Sequence, residues 1–191
     1  MVIAYHAIFT TYGTWLPNDP RGSYSKQIYN EELQAFGEIK YGWQIPQPPH
    51  SFLSRFHTEA ARKLSRPAVY LDAKRILLVS AGFSEVVARL DLRVLACAIM
   101  PNHVHMVICR GKYRVEYLVN QLKGAATQKL GFVHTPWTRK GWKVFLNNEG
   151  AVNACCRYVE ANPVTVGLQP QTWPFCGPLV RDAKAVATDH R

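Results

Sequence analysis

What the chain lacks narrows it first. It has no apolar run long enough to cross a membrane and no basic amphipathic helix of the kind that lies on one, so a lipid surface is a poor partner. Acidic residues are scarce: 13 Asp and Glu stand against 23 Lys and Arg, a formal charge of +10, which suits a partner built on phosphate. The cysteines Cys97, Cys109, Cys155, Cys156 and Cys176 are odd in number and two are adjacent, which does not suggest a disulfide framework. With an opening that lacks the basic segment of an export signal, this leads us to expect a cytoplasmic protein. No internal repeat or low-complexity tract is visible. What is there is a chain of 191 residues, 48% hydrophobic and 12% aromatic, enough for the core of one domain and too apolar for wholesale disorder.

Residues 2–11 read as a first strand. Residues 13–60, rich in Pro, Gly, Tyr and Asn, read as a long irregular excursion with a short helix near Glu31–Phe36. Ile76, Val79, Phe83, Val86, Val87 and Leu90 recur at helical spacing and predict a helix over Asp72–Leu90. Leu92–Ile99 and Val104–Cys109 predict two strands joined at Pro101-Asn102, a turn pair. Val115, Leu118, Val119, Leu122, Ala126 and Leu130 mark the next helix, with Arg114, Lys123 and Lys129 on its opposite, solvated face. Residues 141–146 give a last strand. In that order the elements describe an α+β, ferredoxin-like sandwich, an antiparallel sheet with two crossing helices on one face and the other face open.

Within the strand Val104–Cys109 and its approach, side chains alternate faces, so His103 and His105 point one way while Val104, Met106 and Ile108 point the other, toward a core. Two imidazoles side by side make half a metal site; two histidines hydrogen-bonded on an exposed sheet face are the plain alternative. Downstream, residues 148–163 read as a short helix. Asn147 or Asn148 caps its start, Glu149 complements the positive end of the dipole, and Pro163 stops it. Tyr158 and Asn162, four apart, share a face of that helix. Asn162 before a proline is also an ordinary helix stop, and Tyr158 could simply pack on the sheet.

Met100-Pro-Asn-His-Val-His105 and Tyr158-Val-Glu-Ala-Asn-Pro-Val164, in that order, resemble the signatures of the HUH single-tyrosine transposases, in the branch of the REP-associated tyrosine transposases. The opening from Tyr5 to Gly22 also looks like the first strand and loop of that group. The resemblance runs from residue 5 to about 176 and is weakest over residues 23–60. It implies one transposase domain over 1–176 with an insertion at about 19–60, and a C-terminal tail over 177–191. It also implies that the tyrosine helix lies across the open face of the sheet.

The resemblance further implies that His103, His105 and Asn162 hold a divalent metal and that Tyr158 attacks the scissile phosphate of single-stranded or hairpin DNA. Two imidazoles, an amide oxygen and phosphate oxygens favour Mg²⁺ or Mn²⁺; zinc would prefer more nitrogen and sulfur. Cys109 shares the histidine face, but strand twist carries it away from the pair. A tyrosine nucleophile conserves the phosphodiester energy in a phosphotyrosine bond, so a free 3′-hydroxyl can reverse the attack. No dedicated general base is evident, with His6 and Lys123 the candidates, and Tyr113 and Tyr117 are the competing tyrosines.

Trp15 and Trp43, with Tyr12, Tyr24, Tyr29 and Tyr41 nearby, look placed to contact unpaired bases. Arg21, Lys26, Lys40 and Arg55 add charge there, and Arg114, Lys123 and Lys129 could track phosphates elsewhere. A non-catalytic, decayed nucleic-acid-binding protein and a hydrolase that uses water remain open, as does the choice between a monomer and a homodimer, since related transposases exchange tyrosine helices.

Overall fold

Alternation along one strand organises both layers of the molecule. In the computed structural model, which describes residues 1–23, 26, 31–139 and 141–178, the strands are β1 (Ala4–Thr10), β2 (Val94–Ile99), β3 (His103–Cys109) and β4 (Trp142–Leu146). They pair antiparallel in the order β2-β3-β1-β4. Val104, Met106 and Ile108 of β3 enter the main core with Phe9 and Trp137. Val107 enters a second cluster on the other side. Both faces of β3 are therefore covered.

The main core is closed by α3 (Ala73–Leu90) and α4 (Val115–Leu130), through Val79, Phe83 and Val86 on one and Leu118, Leu122 and Ala126 on the other. Asp72 caps α3 by accepting from Arg75 N at 2.8 Å, and Asp91, in the left-handed region, ends it. The two helices touch at Gly82, where an added Cβ would lie 2.9 Å from the backbone of Ala125 and Ala126. The second cluster is closed by α5 (Glu149–Thr165), whose Val152 and Val159 lie on Ala4, Ala96, Ala98 and Val107. Three alanines there let the helix sit low on the sheet. Strand order and helix placement are those of the ferredoxin-like α+β sandwich.

Four expectations need correction. The excursion is less irregular than its composition suggests: besides α1 (Glu31–Gln34) it contains α2 (His50–Lys63), 14 residues long. That helix hides because it starts after Pro49 with no side-chain cap and buries only Phe56 and Ala60, against Leu16 and Leu33. Pro163 does not stop α5 but sits inside its last turn, and the chain leaves only at Gly167, whose φ is +77°. Leu168 N then donates to Pro163 O at 2.9 Å, and Asn162 Nδ2 donates to Tyr158 O at 2.8 Å. Lys123, expected on a solvated face, is only 8% exposed because residues 135–138 fold over it. Its Nζ donates to Thr138 O at 2.9 Å and lies over the Phe9 ring, and burial pushes its pKa down to about 8. Arg21 is occupied inside the excursion, as described below. Tyr24 and Tyr29, and most of the expected tail, lie outside the described residues.

Candidate active site

The tight turn before β3, closed by Met100 N donating to His103 O at 2.8 Å, delivers the two histidines. Thr11 N, Thr11 Oγ1 and Thr14 Oγ1 all donate to Asn102 O, at 2.9, 3.1 and 3.1 Å, which pins that turn to the end of β1. Asn102 Oδ1 lies 2.7 Å from His103 Nδ1. A proton on Nδ1 satisfies this bond and leaves the His103 Nε2 lone pair outward.

His105 is held differently. Its Nδ1 is 2.9 Å from Nε2 of His6, on the neighbouring strand, and the two rings stack at 5.1 Å with 25° between planes. The His103 ring stands perpendicular to that of His105 at 4.8 Å. With His6 and His105 only 6% and 5% exposed, burial holds all three imidazoles neutral at pH 7. His6 and His103 fall to about 4 and His105 to about 3, the last also because a charge on His103 or His6 would repel its own. A neutral imidazole anchored through Nδ1 with Nε2 open is the metal-ligating form.

Helix α5 brings Tyr158 onto this cluster. Its ring meets His105 edge-on at 5.6 Å and 90°, and His6 at 6.1 Å and 74°, yet Tyr158 is 55% exposed. Asn148 fixes the helix start by accepting from Ala151 N at 2.8 Å. Asn162 follows Tyr158 one turn later, with its amide nitrogen on the Tyr158 carbonyl and its Oδ1 the atom that could meet a cation. Among the described residues no group of three or more His, Cys, Asp and Glu could hold a metal by itself. His103 and His105 are the residues here that could hold a divalent cation, with Asn162 and substrate oxygens to complete its shell. The donor set fits an oxygen-seeking ion better than zinc.

Other residues singled out in the sequence fall elsewhere. Cys109 closes the far end of β3 and packs beneath α5 with Cys155 and Cys156. Tyr113 and Tyr117 stack on each other at the start of α4, Tyr113 packing on the core of the opposite sheet face. Lys123 is on that face too, which separates it from Tyr158 and leaves His6 as the base candidate at the site. Arg21 is a bidentate partner of the fully buried Asp19, at 2.9 and 2.7 Å, and lies over the Trp15 ring at 4.7 Å. Trp43 is exposed, Arg114 is exposed at the start of α4, and Lys129 pairs with Glu85. No helix among the described residues is long and apolar enough to cross a membrane. His6 is the site residue whose place the sequence signal did not give, because it enters through strand pairing 99 residues away.

Fold and site together define a class: a ferredoxin-like domain carrying an imidazole pair and a helix-borne tyrosine on the sheet face that its two crossing helices leave open. A family model described as "Transposase IS200 like" matches residues 63–161, more than half of the chain, and the chain belongs to that family. The solved structure of a REP-associated tyrosine transposase bound to a REP hairpin shares the fold, with a TM-score of 0.50 at 11% identity over 87% of this chain and 70% of that one. A putative transposase from Deinococcus radiodurans R1 aligns over 84% of this chain and 90% of its own at 13% identity, with a TM-score of 0.38, too low to add to the fold assignment. No curated protein matches.

Proposed function

We propose that this protein cuts and rejoins single-stranded DNA at hairpin or palindromic sites, with Tyr158 as the nucleophile. The observation that carries the reading is an exposed tyrosine set edge-on against two buried, neutral imidazoles. Tyr158 Oη attacks the scissile phosphorus, the bond from phosphorus to the 3′-oxygen breaks, and the 5′-phosphate stays on the tyrosine while a 3′-hydroxyl is released. The phenolic proton leaves to solvent, which reaches the ring directly, and solvent returns a proton to the departing 3′-oxygen. Mg²⁺ or Mn²⁺, when bound, neutralises charge that develops on the phosphate oxygens.

His103 and His105 supply Nε2 lone pairs from fixed rings; Asn102 and His6 position those rings, and Asn162 supplies an amide oxygen from the tyrosine's own helix. Attack by a free 3′-hydroxyl on the phosphotyrosine reverses the first step and rejoins the strand. The formal +10 charge favours a phosphate backbone, and the fold neighbour held with a REP hairpin supports a hairpin as the substrate class.

The test is a labelled single-stranded hairpin incubated with the protein and Mn²⁺, then resolved under denaturing conditions. We expect a covalent adduct that maps to Tyr158 and a fragment ending in a 3′-hydroxyl, both lost in Tyr158→Phe with binding retained. Cutting that survives in Tyr158→Phe would identify a hydrolase that uses water. Binding without cutting in the wild type would identify a decayed, non-catalytic protein.

A further inference from the structure

A cleft of about 840 Å³ opens where the chain leaving β1 meets α4, on the helix side of the sheet. Three segments are tied together to make it. Tyr12 N donates to Pro136 O at 2.7 Å and Val69 N donates to Tyr12 O at 2.9 Å, so residues 135–139 and the turn before α3 are both fastened to the end of β1. Trp137 Nε1 donates to Lys123 O at 3.0 Å, which fastens the same segment to α4. Along α4, Asn120, Gly124 and Gln128 line the cleft at a spacing of four, one above another. A Cβ on Gly124 would meet nothing within 4 Å, so the space over that row is open.

The charge of this cleft is of one sign. Arg66, Lys123 and Arg139 line it, and among the described residues no Asp or Glu does. Elsewhere basic side chains sit against carboxylates, as Arg21 does with Asp19, Arg55 with Glu59 and Lys129 with Glu85. Arg66 lies over the Tyr12 ring at 4.4 Å and its Nη1 is 3.5 Å from Thr135 O, which holds the guanidinium at the mouth; Arg139 is exposed beside it. Cations gathered around one concavity repel each other and favour an anion. Arginine, lysine and amide side chains are also the donors that phosphate oxygens usually meet.

Thr138 connects this cleft to the histidine face. Thr10 is paired with His103 across β1 and β3, so the two side chains share a face. Thr138 Oγ1 lies 3.0 Å from Thr10 Oγ1 on that face, while Thr138 O accepts from Lys123 Nζ at 2.9 Å on the other side. One residue therefore spans the end of the sheet, with His103 one strand spacing beyond it, about 5 Å.

We propose that the cleft takes the phosphodiester backbone of the single-stranded DNA next to the phosphate that Tyr158 attacks, with Arg66 and Arg139 as its contacts. The proposal rests on the reading of single-stranded DNA as the substrate. A strand leaving the site past His103 and Thr10 rounds the sheet end at Thr138 and reaches the two guanidinium groups. Phosphate contacts carry no base information, so this cleft holds and directs the strand while other contacts choose the sequence.

The test measures binding by the full chain to a labelled oligothymidine of about 16 nucleotides by fluorescence anisotropy across a salt series. Each phosphate contact on a single strand contributes about 0.7 to the slope of log affinity against log salt. The double variant Arg66→Ala, Arg139→Ala should make that slope shallower by about 1.4. Gly124→Glu puts a carboxylate into open space on a helix and should weaken binding several-fold, whereas Gly124→Gln should leave it nearly unchanged; thermal unfolding checks that all variants fold. An unchanged slope in the double variant, or equal losses in Gly124→Glu and Gly124→Gln, overturns the proposal. So does displacement of the strand by thymidine monophosphate at equal phosphate concentration, which would make the cleft a mononucleotide site. If the same strand fills both places, adduct formation at Tyr158 in the double variant should need more hairpin DNA to reach the wild-type rate, and an unaltered DNA dependence overturns that continuity. An adduct with an unchanged slope sinks the cleft alone, whereas a shallower slope with no adduct in the wild type sinks the nucleophile and leaves the cleft.

Discussion

Replacing His6 by phenylalanine should weaken the dependence of stability on pH. The sign follows from burial. His6 titrates at about 4 in the fold against 6.5 when exposed, so between those values the unfolded chain binds a proton that the folded one refuses. Stability is therefore complete above about pH 6.5 and is lost as pH falls toward 4. The full gap corresponds to roughly 3 kcal/mol, and by pH 5 about 2 kcal/mol of it is gone. His105, at about 3, adds a loss of the same sign, part of which arises because a charge on His6 would repel it. His103 is less buried and adds a screened share.

A phenylalanine fills the same buried space, removes one titration outright and relieves part of another. At pH 7 it leaves His105 Nδ1 without its 2.9 Å partner, at a cost of about 1–3 kcal/mol. Urea unfolding of the metal-free protein at pH 7 and pH 5 reads both effects. His6→Phe should start less stable and lose about 2 kcal/mol less than the wild type between the two pH values. Equal losses in the two proteins would refute the reasoning, because His6 would then be exposed or already charged in the fold.

Two further outcomes separate chemistry from architecture. His103→Ala or His105→Ala should abolish cleavage while DNA affinity, measured by filter binding, stays within a few-fold, since phosphate contacts elsewhere supply the binding; cleavage at full rate in either variant, or in excess chelator, would remove the metal from these residues. Arg21→Ala leaves the carboxylate of Asp19 buried without its bidentate partner and should cost about 3–5 kcal/mol in denaturant unfolding, with no change in the slope of binding against salt; a shallower slope with unchanged stability would make Arg21 a phosphate contact instead.

Local rules in the sequence reach a long way here. Strand alternation by itself puts His103 and His105 on one face and Val104, Met106 and Ile108 on the other, because successive side chains of a strand must diverge. The stripes in α3 and α4, the cap at Asn148 and the shared face of Tyr158 and Asn162 are equally local, each set within a few residues. Where a local rule met a competing contact it failed. Pro163 should end α5, yet its apolar ring is buried and the helix runs on to Thr165, and α2 carries a stripe through Phe56, Ala60 and the adjoining Leu64 that is masked by its uncapped start after Pro49 and by the Pro and Gly around it.

Everything that depends on register between distant segments belonged to the tertiary structure. Pairing of β1 with β3 sets His6 against His105. The fold of residues 135–138 over α4 buries a lysine whose helical position alone marks it as solvated. Each is a relation between residues far apart in the chain, decided by which strands can close hydrogen bonds over a common core. Composition and periodicity supply the pieces of this site, and the β4-β1-β3-β2 sheet order decides which of them meet, because β3 beside β1 brings His105 against His6 and α5, packed on the same face, sets Tyr158 over both.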